Sequence, residues 1–285
     1  MLLSDGDKHL LGSILTVNFA DRACGGLMDL SIEELERYDR QIRIAGLGVD
    51  GQRKLKTAKV LVAGLGGLGC PASLYLAASG IGKLVIVDKD KVELSNLNRQ
   101  ILHWTPDIGK LKVESVAEKI LKINPNVEVE PLALEIDEGN VEDLVSKVDV
   151  VVDGMDNFRT RFLLNEACIR QNKPFVHAAV YGLEGQLITV LPGKGPCLRC
   201  IIPLEPPQQT PVPVLSTTPG VMATLEVMEV VKLVAGLGKP CSDKLLIFDG
   251  YEMKFHEVRV EPSPSCPVCS KLKEIERHKP HNLLQ

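Results

Sequence analysis

Apolar positions along this chain alternate between two periods. Lys59–Ala63 and Leu84–Asp88 are short β-branched runs, apolar nearly throughout and closed by glycines or an acid, which predicts buried strands. Between them, Leu68–Ser79 is rich in Ala and Leu and predicts a helix. Val113, Val116, Ile120 and Ile123 recur at helical spacing, and Asn124-Pro125 stops that helix. Val127–Leu132, Val141–Ser146 and Val148–Asp153 continue as strand, helix and strand, followed by a helix at Arg161–Gln171 and a strand at Phe175–Val180. Upstream, Ser31 and Glu34 have the spacing of a capping box that opens a short helix through Tyr38. This alternation predicts an α/β fold with a mostly parallel sheet and helices on both faces.

After Gly182 the rhythm changes. Gln186–Leu191, Lys244–Phe248 and Met253–Val260 read as extra late strands, and Val221–Ala235 as an apolar helix. The Pro-rich stretch from Pro203 to Pro219 reads as a loop or crossover. The expected organisation is an N-terminal extension over 1–29, loosely ordered, one domain over 30–270 and a polar tail over 271–285. Leu10–Ala20 is apolar, but Asp5 and Asp7 stand where a signal peptide carries positive charge, so a cytoplasmic location is expected. No stretch reaches the 18 or so apolar residues of a membrane span.

Composition narrows the function. With 45% hydrophobic and 25% charged residues the chain is neither disordered nor a disulfide miniprotein. A net charge of −4 leaves no global basic field for nucleic acid or an anionic membrane.

The chemistry starts at Gly64-Leu65-Gly66-Gly67-Leu68-Gly69, between a strand and a helix. There the glycines allow a tight turn and bring backbone N–H groups to a phosphate. Asp88 ends the next strand, where an acidic side chain can hold a ribose hydroxyl. Taken alone, this suits a nicotinamide cofactor as well as ATP. Ser95, Asn96, Leu97, Asn98 and Arg99, then Lys112, add donors and two cations, which a triphosphate needs more than a pyrophosphate does. Arg99 pairing with Glu93 and Lys112 as a solvated helix residue are the bland alternatives. Asp156 and Asn157 follow a strand at the sheet's carboxyl edge, where a carboxylate suits Mg²⁺.

Among eight cysteines, Cys197-x-x-Cys200 and Cys266-x-x-Cys269 have the spacing of thiolate ligands for a tetrahedral structural Zn²⁺. Cys70 and Cys168 read as small buried hydrophobes, while Cys24 and Cys241 fall in the extension and a surface loop. His103 and His177 read as structural.

Arg37–Ile42 (RYDRQI), GLGGLGC at 64–70, SNLNRQ at 95–100, GKLKVES at 109–115, GMDN at 154–157 and CLRC at 197–200 stand in one order. Together they resemble the MoeB/ThiF/HesA adenylyltransferases, relatives of the ubiquitin-activating enzymes, from about Leu30 to Cys269. The resemblance implies a Rossmann-like homodimer that adenylates the C-terminal Gly-Gly carboxylate of a small ubiquitin-like sulfur carrier. It also implies that the Gly67 loop faces ATP, Asp88 holds the ribose, and Ser95–Arg99 with Lys112 hold the phosphates. Asp156 would carry Mg²⁺, and Arg40 would reach the triphosphate of the other protomer.

In one respect the chain departs from that pattern. Many relatives carry a cysteine in the crossover loop for a covalent link to the carrier, and residues 201–240 have none. With the chain ending at Gln285, no sulfurtransferase domain is expected after the zinc ligands, so a separate sulfurtransferase is the expected partner. Two other readings stay open at this point: an NAD-dependent dehydrogenase and a non-catalytic zinc-containing nucleotide-binding scaffold.

Overall fold

Strands form where the apolar runs lie. The computed structural model describes residues 29–206 and 212–270, so the expectations for the extension, for Cys24 and for the tail lie outside it. β1 (Lys59–Ala63), β2 (Lys83–Val87), β3 (Glu128–Leu132), β4 (Val150–Asp153) and β5 (Phe175–Tyr181) pair in parallel. β6 (Glu184–Val190), β7 (Lys244–Asp249) and β8 (Lys254–Arg259) extend the sheet antiparallel. The order is β3-β2-β1-β4-β5-β6-β7-β8. Pro131 is tolerated because β3 is an edge strand and needs fewer ladder donors.

Each central strand alternates between two cores. Val60, Val62, Leu84, Ile86, Val150, Val152 and Val176 face one cluster, with Leu55, Leu76, Ile120, Met222 and Val230. These come from α3 (Gly48–Thr57), α4 (Gly69–Ala78), α5 (Lys112–Ile123) and α9 (Thr217–Ala235). Leu61, Ala63, Val85, Val87, Val151 and Phe175 face the other, with Leu144, Phe162, Leu164 and Leu198. These belong to α6 (Val141–Ser146), α7 (Phe158–Arg170) and α8 (Leu198–Ile201). Burial on both faces explains why the strands read as continuous apolar runs.

Several expectations shift. α1 (Ile32–Arg37) opens on the expected capping box, Ser31 Oγ accepting from Glu34 N at 3.1 Å and Glu34 Oε2 from Ser31 N at 2.7 Å. α2 (Asp39–Ile42) and α3 follow without a clear apolar signal, because α3 is mostly polar and carries two glycines. α9 begins at Thr217 rather than Val221. Pro219 sits in its first turn, where no intrahelical donor is needed. Cys241 is not on the surface: it is buried, and its N–H donates to Glu229 Oε2 at 2.6 Å. Cys70 and Cys168 are fully buried as expected, and burial pushes the Cys70 thiol up to about 12.

Among the described residues, no helix is long and apolar enough to cross a membrane. β1 and β4 are neighbours whose chains continue to opposite sides of the sheet. Their carboxyl ends therefore form the crevice in which open α/β sheets bind ligands.

Candidate nucleotide site and cysteine cluster

The glycine loop closes this crevice by backbone contact. Gly64 has φ of 87°, and a Cβ there would meet Gly154 O at 2.7 Å. A Cβ on Gly69, at the start of α4, would meet Gly64 O at 1.8 Å. Only glycine fits either position, and a left-handed backbone adds about 1–2 kcal/mol for any other residue at Gly64. Gly66 and Gly67 are half-exposed and open onto the crevice. A Cβ on Gly67 would meet Pro219 at 3.2 Å and Arg99 Cγ at 3.5 Å, so Arg99 and the start of α9 flank the loop.

Asp88 is tied to the same loop. Its Oδ2 accepts from Leu65 N at 2.8 Å and its Oδ1 from Asp90 N at 2.8 Å. Burial pushes the Asp88 carboxyl up, and Lys112 opposes that from 3.9 Å. Lys112 is itself buried at the first position of α5, its Nζ 3.0 Å from Asp90 Oδ2. It is therefore not a solvated helix residue. Its single ammonium lies between the carboxylates of Asp88 and Asp90 beside the loop.

Arg99 does not pair with Glu93. Its Nη1 donates to Ser95 O at 2.9 Å and to Asn98 Oδ1 at 3.0 Å, within the 95–100 segment. Asn96 is buried and its Oδ1 accepts from Glu93 N at 3.0 Å, whereas Ser95 and Asn98 are exposed and Leu97 is half-buried. Asp156 is exposed beyond β4, close enough to Lys89 for its charge to favour the ammonium. Asn157 caps α7, its Oδ1 accepting from Thr160 N at 2.9 Å. Arg40 stands apart on α2, exposed, and among the described residues it makes no ion pair.

Near the site, Lys89 escapes the sequence reading, whereas His103 is structural, as expected. Lys89 directly follows Asp88, a position that could have flagged it. His103 is buried with Nε2 3.2 Å from Leu65 O and Nδ1 3.0 Å from Ser115 Oγ. Burial pulls its pKa down to about 4, so it is neutral and supports the glycine loop by hydrogen bonding. His177 is fully buried with Nδ1 2.6 Å from Asp153 Oδ2.

The two CxxC pairs meet. The four Sγ atoms of Cys197, Cys200, Cys266 and Cys269 lie within 4.8 Å of one another. Cys197–Cys266 and Cys200–Cys269 are 3.6 and 3.4 Å apart, and Cys197–Cys200 is 4.0 Å. Tetrahedral Zn–S bonds of about 2.3 Å put sulfurs about 3.8 Å apart, so the set could hold one zinc ion. Leu198 N donates to Asn165 Oδ1 at 2.9 Å, and the Arg199 guanidinium lies 3.5 Å over the Phe162 ring, tying this corner to α7. Burial and the neighbouring sulfurs push the Cys269 thiol up to about 12, a crowding that a dication would relieve.

A family model described as "ThiF family" matches residues 38–268. The chain belongs to the ThiF family. It is an adenylyltransferase of the MoeB/ThiF type, which decides against the dehydrogenase and scaffold readings. The SAMP-activating enzyme E1 of Haloferax volcanii is 43% identical over 248 residues, covering 85% of this chain and 91% of that protein. Adenylyltransferase and sulfurtransferase MOCS3 of Aedes aegypti is 41% identical over 247 residues, again 85% of this chain. This ThiF-family chain spans only 56% of that longer protein. Among solved structures, E. coli MccB bound to MccA-N7isoASN superposes with TM-score 0.74 at 28% identity, covering 82% of this chain and 74% of that one.

Proposed function

We propose that this ThiF-family enzyme adenylates the C-terminal Gly-Gly carboxylate of a ubiquitin-like sulfur carrier, releasing pyrophosphate. The observation that carries this reading is the convergence, at the carboxyl ends of β1, β2 and β4, of the glycine loop, Asp88, Arg99, Lys112 and Asp156. A relative is named for activating SAMP and others for both adenylyl and sulfur transfer, which supports a carrier of that kind.

In this reading the glycine loop N–H groups and Arg99 hold the triphosphate, and Asp88 holds the ribose. Ser95, Asn96, Leu97, Asn98 and Asn157 shape the rim. Asp156 and the phosphate oxygens would hold Mg²⁺, which when bound neutralises charge on the leaving pyrophosphate. The carrier carboxylate, with a pKa of about 3.5, is ionised at neutral pH and attacks the α-phosphorus without a general base. One carboxylate O–P bond forms and the bond to the pyrophosphate oxygen breaks. Catalysis then consists of alignment and charge stabilisation, which suits a crevice whose histidines are buried and hydrogen-bonded.

Assembly as a homodimer completes the site. An open apolar groove lined by Ile44, Tyr75, Val227, Met228 and Val231 adjoins Arg40, whose neighbour Gln41 also lines it. Half-exposed Ile44, Tyr75 and Met228 suit burial against a second copy, which would bring Arg40 to the partner's triphosphate. The product acyl-adenylate passes to a separate sulfurtransferase, because the crossover carries no thiol and Cys70, Cys168 and Cys241 are buried. The cytoplasm is the location this chemistry suits. Carrier-dependent ATP–pyrophosphate exchange tests the reading. Exchange with an unmodified carrier and none with a C-terminally amidated one is expected, and equal exchange with both would refute it.

Zn²⁺ on the four cysteines belongs to the same reading, as a staple between the chain after β6 and the segment after β8. Purified protein should carry about one zinc per chain. Cys200→Ser or Cys269→Ser should lower Tm by about 10 °C, since ligation energy is folding energy. Metal-free protein of unchanged Tm would contradict this assignment.

A further inference from the structure

Four buried polar side chains beneath the crevice have no role in the reading above. Asp153 closes β4, Arg161 lies on α7, His177 on β5 and Glu226 on α9, all of them buried. Asp153 Oδ2 accepts from His177 Nδ1 at 2.6 Å and lies 3.3 Å from Arg161 Nε. Its Oδ1 accepts from Met155 N at 3.0 Å. Arg161 Nη2 donates to Met155 O at 2.5 Å and reaches Ala178 O at 3.4 Å. One buried ion pair thus holds both backbone groups of Met155, the residue before Asp156.

A buried ion pair adds little net stability, because desolvation offsets the attraction. Here its geometric effect is specific. Gly154 is pressed onto the glycine loop, where a Cβ would meet Gly64 O at 2.4 Å, and it has no side chain with which to steer the turn. Glu226 has neither oxygen hydrogen-bonded, and burial beside Asp153 holds its carboxyl well above the usual range. Arg161 is engaged by Asp153 and Met155 O, not by Glu226.

We propose that Asp153 and Arg161 are positioning residues that clamp the Met155 peptide and so aim Asp156 at the cation of the bound nucleotide. This rests on the reading of Asp156 as a metal ligand. Arg161→Lys tests it, because a lysine keeps the charge opposite Asp153 but loses the planar fork that also reaches Met155 O. Calorimetric titration of the full chain with MgATP, and with ATP in excess chelator, separates metal capture from nucleotide binding.

Arg161→Lys should weaken MgATP binding about tenfold, the usual cost of losing a group that orients a metal ligand, and leave metal-free ATP binding unchanged. Asp156→Asn should lose the preference for MgATP, and adding Arg161→Lys to it should cost nothing more. Glu226→Gln, a neutral copy of the acid, should bind MgATP like the wild type. Should Arg161→Lys fail to fold, hydrogen exchange on the native chain supplies the test. The Met155 amide should be protected about a hundredfold over an open peptide, and rapid exchange would overturn the clamp. Wild-type MgATP binding in Arg161→Lys, with the preference lost in Asp156→Asn, overturns the clamp alone. Unchanged binding in Asp156→Asn overturns the metal-ligand reading together with the clamp. An equal loss of both nucleotide forms in Arg161→Lys, or weakened MgATP binding in Glu226→Gln, would also refute it.

Discussion

Asp156→Ala should lower carrier-dependent pyrophosphate exchange by about 100-fold or more, the scale on which charge-stabilising groups act, while Tm stays near that of the wild type. The side chain is exposed and makes one long contact, 3.4 Å from Asn157 Nδ2, so its removal opens no cavity and strands no buried partner. Loss of exchange with retained folding therefore reports on the reaction. Near-normal exchange at limiting Mg²⁺ would remove Asp156 from the site.

Arg40→Ala should be as inactive as Asp156→Ala if, as proposed, Arg40 reaches the triphosphate of the other protomer. The informative experiment mixes the two inactive proteins under conditions of subunit exchange. Half of randomly paired dimers are mixed, and each mixed dimer has one site with both groups intact, so roughly a quarter of wild-type exchange should return. No recovery, with subunit exchange verified, would place Arg40 outside the neighbouring site.

Much of this architecture is legible in the chain because buried parallel strands and their covering helices leave strong periodic signals. Lys59–Ala63 and Val150–Asp153 read as strands for the same reason that they pack on both faces. α3 went unread because its apolar positions are few, and tertiary contact with α9 holds it instead. The start of α9 was hidden by Pro219, whose missing donor costs nothing in a first turn. Within the site, the glycine loop, Asp88 and the cysteine pairs could be read because each chemistry demands its residue types at fixed spacing. The contact between Asp153, Arg161, His177 and Glu226 could not be, since it joins four elements with no local pattern. Cys241 shows the converse: a Pro- and Ser-flanked cysteine looks like a surface-loop residue, yet it packs into the apolar cluster that α9 covers, with its N–H on Glu229.

In the proposed reaction the chain makes an acyl-adenylate on a carrier carboxylate and keeps no covalent hold on it. The measurement that meets this most directly is intact mass spectrometry after enzyme, MgATP and carrier are mixed at equal concentration with pyrophosphatase, under non-reducing conditions. The expected result is a carrier heavier by one adenylyl group, enzyme of unchanged mass, and no such product when the carrier lacks its terminal glycine. An unmodified carrier, or carrier linked to the enzyme at turnover rate through Cys24, Cys70, Cys168 or Cys241, would contradict it.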